Sequence, residues 1–305
     1  MKKDFLSIKD LSLDDINQIL DLADDLKQHP DKFKSALSGK TIVMIFEKPS
    51  NRTFVSFQVG MYQLGGNALY LGPEHIKLGI RESVSDVAKT LSRYAQAIIL
   101  RTFAHKTLLD MAKFANIPVI NGLSDFSHPC QALSDIFTIK EKFNSFGKVT
   151  LVYIGDGNNV CNSLIFACAK VGLNLKIATP KRYQPKLEVL AEAKAITQGA
   201  GAKITLYNSP EEAVGDADII YTDVWASMGQ EKEARLRRKK FRGFQINSKL
   251  LSLAKKNCLI MHCLPAHRGE EITDEVIDSK NSIVFNQAEN RLHVQKAILL
   301  KLLNC

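Results

Sequence analysis

Long apolar runs are missing from this chain. No stretch reaches the roughly 18 uninterrupted apolar residues of a membrane span, and the best candidates, 97–100 and 149–154, are strand-sized. A membrane-spanning role is therefore excluded. The N-terminus lacks a signal-peptide core: Met1-Lys2-Lys3 is followed at once by Asp4, with further acidic residues at Asp10, Asp14 and Asp15, so a cytoplasmic protein is expected. Cysteine is sparse and shows no CxxC pair. Cys130, Cys161, Cys168, Cys258, Cys263 and Cys305 are spread out, four of them inside apolar segments, which points to reduced, buried thiols rather than a disulfide framework. Internal repeats and low-complexity tracts are also absent. With 45% hydrophobic and 24% charged residues, the composition is that of a globular chain and excludes disorder and fibre readings.

What the sequence has in excess is positive charge: 41 Lys and Arg against 32 Asp and Glu, a formal +9. That balance suits an anionic partner, either nucleic acid or a small phosphorylated substrate. The one charge run, Arg235, Arg237, Arg238, Lys239 and Lys240, lies in a helical pattern without interleaved aromatics, so a solvated helix face is expected and nucleic-acid binding is not.

The 305 residues suggest two domains. Strand-like runs occur at 41–46, 67–71, 97–101 and 117–120, and then at 149–154, 174–178, 203–206, 218–222, 258–261 and 282–285. Helical patterns separate them, which predicts an α/β fold of βαβ units with a parallel β-sheet in each domain. An amphipathic helix is expected over 12–26, a long one over 130–143, and a last one over 289–302. The domain boundary is placed after the second of these, giving 1–143 and 144–288, with 289–305 crossing back to the first domain.

Polar motifs follow the strands directly. Ser50-Asn51-Arg52-Thr53 leads from a strand into a helix, a geometry that gathers backbone N–H groups, hydroxyls and a guanidinium around an oxyanion, although Ser50 also fits plain helix capping. Arg101-Thr102-Phe103 ends the third strand, and His128-Pro129-Cys130-Gln131 follows the fourth. Ligands of parallel sheets sit beyond the carboxyl ends of the strands, so Arg52, Arg101, His128 and Gln131 are expected to converge, two arginines on a phosphate and His128 and Gln131 on a neighbouring carbonyl. Gly155-Asp156-Gly157-Asn158-Asn159 lacks the third glycine of a dinucleotide fingerprint, which disfavours a nicotinamide-dependent dehydrogenase. Asn158 and Asn159 suit a carboxylate at a helix start, and Asp223 suits an amino acid's ammonium while Asn159 and Ser227 meet its carboxylate, unless Asp223 is a helix cap. His262, Cys263 and His267 have no second spaced pair of ligands, so no zinc site is expected.

In order and combination, Ser50-Asn51-Arg52-Thr53, Arg101-Thr102-Phe103, His128-Pro129-Cys130-Gln131, Asp223-Val224-Trp225 with Ser227-Met228-Gly229, and His262-Cys263-Leu264-Pro265 resemble the aspartate/ornithine carbamoyltransferase family over nearly the whole chain. The Ser-Met-Gly and His-Cys-Leu-Pro segments resemble its ornithine branch. The resemblance implies transfer of the carbamoyl group from carbamoyl phosphate to the δ-amino group of L-ornithine, giving L-citrulline and phosphate. The competing acceptor is a related amine such as putrescine, which lacks the α-carboxylate and α-ammonium. It further implies carbamoyl phosphate held by Ser50, Asn51, Arg52, Thr53, Lys77, Arg101, His128, Pro129, Cys130, Gln131, Cys263, Leu264 and Arg291, and ornithine held by Asn159, Asp223, Ser227 and Met228. Arg52, Arg101, His128 and Cys263 would be catalytic, with no metal or organic cofactor, in a homotrimer whose sites are completed by a neighbouring subunit's loop. This chain departs from the family's usual Ser-Thr-Arg-Thr-Arg at Asn51 and Phe54, and has Lys77 where a Gln is usual. Phe54 removes a cation that Lys77 of a neighbour would replace.

Overall fold

The structure, a computed structural model, describes residues 4–227 and 229–303. It divides into two compact units, one made of the chain up to Phe137 together with the residues from Glu289 onward, the other of Thr138–Ala288. Among the described residues no helix is long and apolar enough to cross a membrane.

The first unit opens with α1 (Leu13–Gln28), started by a capping box in which Ser12 and Asp15 exchange side-chain and backbone bonds. Ile16, Ile19, Leu20, Ala23 and Leu26 form its buried stripe. There follow β1 (Thr41–Phe46), α2 (Asn51–Gln63), β2 (Asn67–Leu71), α3 (Val84–Leu91), β3 (Ala97–Arg101), α4 (His105–Phe114), β4 (Val119–Leu123) and α5 (Pro129–Phe143), the last reaching past the unit's end. The strands form a parallel sheet in the order β2-β1-β3-β4. Central β1 and β3 are almost wholly buried because helices cover both faces, whereas edge strand β2 leaves Leu69 half exposed.

The second unit contains β5 (Thr150–Ile154), α6 (Asn159–Val171), β6 (Asn174–Ala178), α7 (Leu187–Ala200), β7 (Ile204–Tyr207), α8 (Pro210–Val214), β8 (Ile219–Thr222), α9 (Ala234–Phe241), α10 (Ser248–Leu251), β9 (Leu259–His262) and α11 (Asp274–Ile277). Its parallel sheet runs β7-β6-β5-β8-β9. Helix α12 (Val284–Leu302) then carries the chain back into the first unit.

Two expectations change. The run 282–285 is not a strand: Ser282 makes a single bridge to Ile260, and α12 begins at Val284, five residues before the helix expected at 289. A short apolar run such as Ile283-Val284-Phe285 fits a buried helix start as well as a strand, and here Phe285 faces outward, 70% exposed. Strand β4 lies two residues later than the expected 117–120 and runs through Asn121 and Gly122 to Leu123. Those residues resemble a turn signal in sequence, but Asn121 is buried and donates to Leu6 O at 2.9 Å and Ser127 Oγ at 3.0 Å, which offsets its desolvation.

In both sheets the chain leaves a first central strand toward one edge and returns to its other side. The switch lies between β1 and β3 in the first unit and between β5 and β8 in the second. The crevice beyond the carboxyl ends of such a pair is where parallel α/β sheets take ligands.

Candidate functional site

At the first switch point Ser50 caps α2, its hydroxyl accepting from Thr53 N at 3.3 Å. The capping reading and the ligand reading are thus compatible. Arg101, the last residue of β3, is 6% exposed, and its Nε has no hydrogen-bond partner among the described residues. Burial, then the charges of Arg291 and Arg52, push its guanidinium down to about 10. Glu47 steadies this strand end, accepting from the Thr102 hydroxyl and from Phe103 N at 3.0 Å.

Arg291 is 3% exposed and donates to Gln131 Oε1 at 2.8 Å and Thr53 Oγ1 at 2.9 Å. Gln131 in turn donates to Asp135 at 2.9 Å, so its amide links Arg291 to Asp135. His128 is buried beside Arg291, Arg101 and Arg52, and burial together with those charges holds its imidazole well below 6.5, in the neutral form. Pro129 opens α5 where its missing N–H costs nothing. Cys130 is buried, its thiol pushed up to about 12 by desolvation, which makes it an unreactive packing residue.

Asn51 is exposed at the first turn of α2. Phe54 packs edge-on against Tyr70 with ring centroids 4.9 Å apart, and Tyr70 packs likewise on Phe46 at 5.5 Å. An apolar cluster thus occupies the place of the family's cation. Lys77 stands exposed and is not among the charges acting on Arg101 or His128.

The second switch point centres on Asp223, 6% exposed beyond β8. Its carboxylate accepts from Asn158 Nδ2 at 2.7 Å, from Val224 N at 2.8 Å and from the Cys263 thiol at 3.0 Å. Asn158 caps α6 through Val160 N and Cys161 N, and Asn159 Oδ1 also accepts from Val160 N at 3.0 Å. Gly157 is dictated by space: a Cβ there would sit 2.3 Å from Pro185 N. Ser227 is half-buried and exchanges bonds with Gln230, its N donating to Gln230 Oε1 at 3.0 Å. Met228 lies outside the described residues. Leu264, half-buried after β9, adopts φ 55°. Among the described residues no group of three or more His, Cys, Asp or Glu side chains could hold a metal ion.

The basic run needs correcting. Arg237 is not solvated: at 7% exposure it donates to Asp156 at 2.8 Å and to Trp225 O at 2.9 Å, and it lies over the Tyr183 ring. It thereby ties the start of the Trp225–Ser227 segment to the loop after β5, a role that sequence reasoning missed. The available signal was Phe241 four residues on, which gives α9 a buried face that Arg237 shares.

Guanidiniums gathered at one switch point and a buried carboxylate at the other define a two-unit parallel α/β protein with one anion-directed and one acid-centred site. Residues 3–141 match the model of the aspartate/ornithine carbamoyltransferase carbamoyl-P binding domain, and residues 147–302 match that of the Asp/Orn binding domain. An ornithine carbamoyltransferase of Pyrococcus horikoshii is 53% identical over 303 residues, 99% of this chain and 96% of that one. The "Ornithine carbamoyltransferase, anabolic" of Pyrococcus furiosus is 52% identical over 299 residues, 97% of this chain and 95% of that one. A solved structure of the ornithine carbamoyltransferase from Pyrococcus furiosus superposes with a TM-score of 0.94 at 52% identity, covering 97% and 96% of the two chains. The chain belongs to the aspartate/ornithine carbamoyltransferase family.

Proposed function

We propose that this chain is a transferase that moves the carbamoyl group of carbamoyl phosphate to the δ-amino group of L-ornithine, giving L-citrulline and phosphate. The observation that carries the reading is Arg101: a nearly buried guanidinium whose strongest charged neighbours are two more arginines. Such a cluster is electrostatically unfavourable by itself and complementary to a phosphate dianion. The first unit is then the carbamoyl phosphate domain and the second, with Asp223 for the ammonium and Asn159, Ser227 and Met228 for the rest of the amino acid, the ornithine domain. The names of the relatives favour ornithine over putrescine.

In the reaction the neutral δ-amine attacks the carbonyl carbon. The new C–N bond forms, the bond to the phosphate oxygen breaks, and the amine proton leaves with the departing phosphate. Negative charge grows on the carbonyl oxygen, where Arg52, Arg101 and neutral His128 supply preorganised donors. Cys263 and Leu264 line the reacting end, and Arg291 holds the phosphate side. The name of the Pyrococcus furiosus relative supports the biosynthetic direction, toward arginine.

The chain works in the cytoplasm as a homotrimer, in which the loop carrying Lys77 enters a neighbouring site. Exposed Val55, Val59 and Tyr62, on one face of α2, and Ile80, 85% exposed, support such an assembly. Citrulline formation measured with ornithine, putrescine and lysine tests the substrate: turnover of ornithine alone is expected, and equal turnover of putrescine refutes the reading.

A further inference from the structure

The mechanism above makes no use of the buried imidazole of His262. His262, the last residue of β9, is 1% exposed, and three of its atoms are engaged within the second unit. Its backbone N donates to Gln287 Oε1 at 2.9 Å. Its Nδ1 accepts from Leu264 N at 2.8 Å, so the ring proton sits on Nε2, which faces Glu271 Oε1 at 3.1 Å. Glu271 is itself fully buried, and the same Oε1 accepts from His267 N at 2.6 Å. One carboxylate therefore fixes both the imidazole and the far end of the segment that follows it.

The segment so held runs from Cys263 to His267 and begins with the Leu264 turn. Leu264 has φ 55°, a left-handed conformation that a branched residue rarely adopts and that persists only where the surroundings impose it. The side chain at position 262 accepting from the N–H two residues on is the bond pattern of an Asx turn, made here by an imidazole. That turn directs the Cys263 thiol to Asp223 Oδ1 at 3.0 Å.

We infer that His262 is a positioning residue: its Nδ1 holds the Leu264 turn, and Glu271 holds its ring, so that Cys263 and Leu264 face the second unit's site in one arrangement. The consequence for catalysis rests on the function proposed above; the positioning itself does not. A displacement of reacting groups by an ångström is enough to slow an oriented reaction severely.

The two amide substitutions separate the two ring nitrogens. His262→Asn keeps an acceptor at the Nδ1 position and can rebuild the turn as a true Asx turn, while His262→Gln keeps a donor toward Glu271 and loses the acceptor. Hydrogen exchange of the full-length chain, read at the Leu264 amide, is expected to show protection retained in His262→Asn and lost in His262→Gln. Citrulline formation should follow, with kcat within about threefold of wild type for the first and down by about tenfold or more for the second. Glu271→Gln, which still accepts from Nε2 and from His267 N, should resemble His262→Asn. Equal loss of protection or of fold in both His262 variants overturns the inference, as does full protection in His262→Gln. If wild type fails to carbamoylate ornithine, the proposed function is lost while the exchange contrast still decides the positioning.

Discussion

The first unit gathers Arg52, Arg101 and Arg291 around a neutral histidine at its switch point, whereas the second gathers hydrogen-bond donors around the buried carboxylate of Asp223. Both sites lie beyond paired central strands of parallel sheets, β1 with β3 and β5 with β8. Similar frames thus supply a similar location, and the residues after the strands set the sign of the charge. The difference teaches that the two sites are prepared in opposite ways, one by like charges held together and the other by a carboxylate whose bonds are already made. Arg291 and Arg52 act on Arg101 as like charges, whereas Asp223 already accepts from Asn158, Val224 and Cys263, so under the proposed function an ammonium would add to or exchange with bonds that exist.

Removing the centre of the cation cluster should break the comparison most severely. Arg101→Ala is expected to lower kcat by about 10²–10³-fold or more, because in the proposed reaction this donor would meet both the phosphate and the developing oxyanion. Steady-state kinetics with both substrates varied would measure it, and activity within tenfold of wild type would remove Arg101 from the assignment. Asp223→Asn acts on the other site. It should lower kcat/KM for ornithine by about 10–100-fold, the range for a lost charge-assisted bond, with the KM for carbamoyl phosphate changed little.

A third effect separates the sites by pH. His128 has a folded pKa depressed below its unfolded value of 6.5, so the folded chain binds fewer protons than the unfolded chain in that range. Its stabilising contribution is present above pH 6.5 and is lost as pH falls through the folded value; His293, lowered to about 4, adds in the same direction. Each group contributes a slope of at most about 1.4 kcal/mol per pH unit. Asp156, raised to about 6 by burial, acts in the opposite direction, so the check is a difference: chemical denaturation between pH 7 and 4 should show wild type losing more stability than His128→Gln. The smallest effect is expected from Lys77→Gln: a rise of about two- to threefold in KM for carbamoyl phosphate, larger at low ionic strength because the charge acts through exposed, screened space. A KM independent of salt in both proteins would return Lys77 to the role of a solvated surface residue.

How far the sequence carried these assignments depended on what each residue did locally. Runs such as Thr41–Phe46, Ala97–Arg101 and Asn174–Ala178 are strands on the expected residues, because β-branched and apolar side chains between helical patterns have few other uses. Motif position places Arg101 and Asp223 at strand ends and His128 in the loop after a strand, and all three are buried there, as the parallel topology directs. What was illegible depended on contacts distant in sequence. Arg237 looked like one of five solvated cations, and only its pairing with Asp156, 81 residues away, makes it an internal tie. Gln131 suggested a donor to substrate, yet its carbonyl is engaged by Arg291 from α12, 160 residues later. His262 has the composition of a metal ligand in sequence, while its partners, Leu264 N and Glu271, give it a structural use that no metal pattern describes.

Under the proposed function the anion belongs to the first unit's cations and the amino acid to the second unit's acid. Equilibrium titration of carbamoyl phosphate into wild type, Arg101→Ala and Asp223→Asn, each verified as folded, addresses it most directly. Binding to Asp223→Asn within about threefold of wild type, with binding to Arg101→Ala weakened by at least about tenfold, is the predicted result. Equal weakening in both variants, or unchanged binding in Arg101→Ala, would contradict the account.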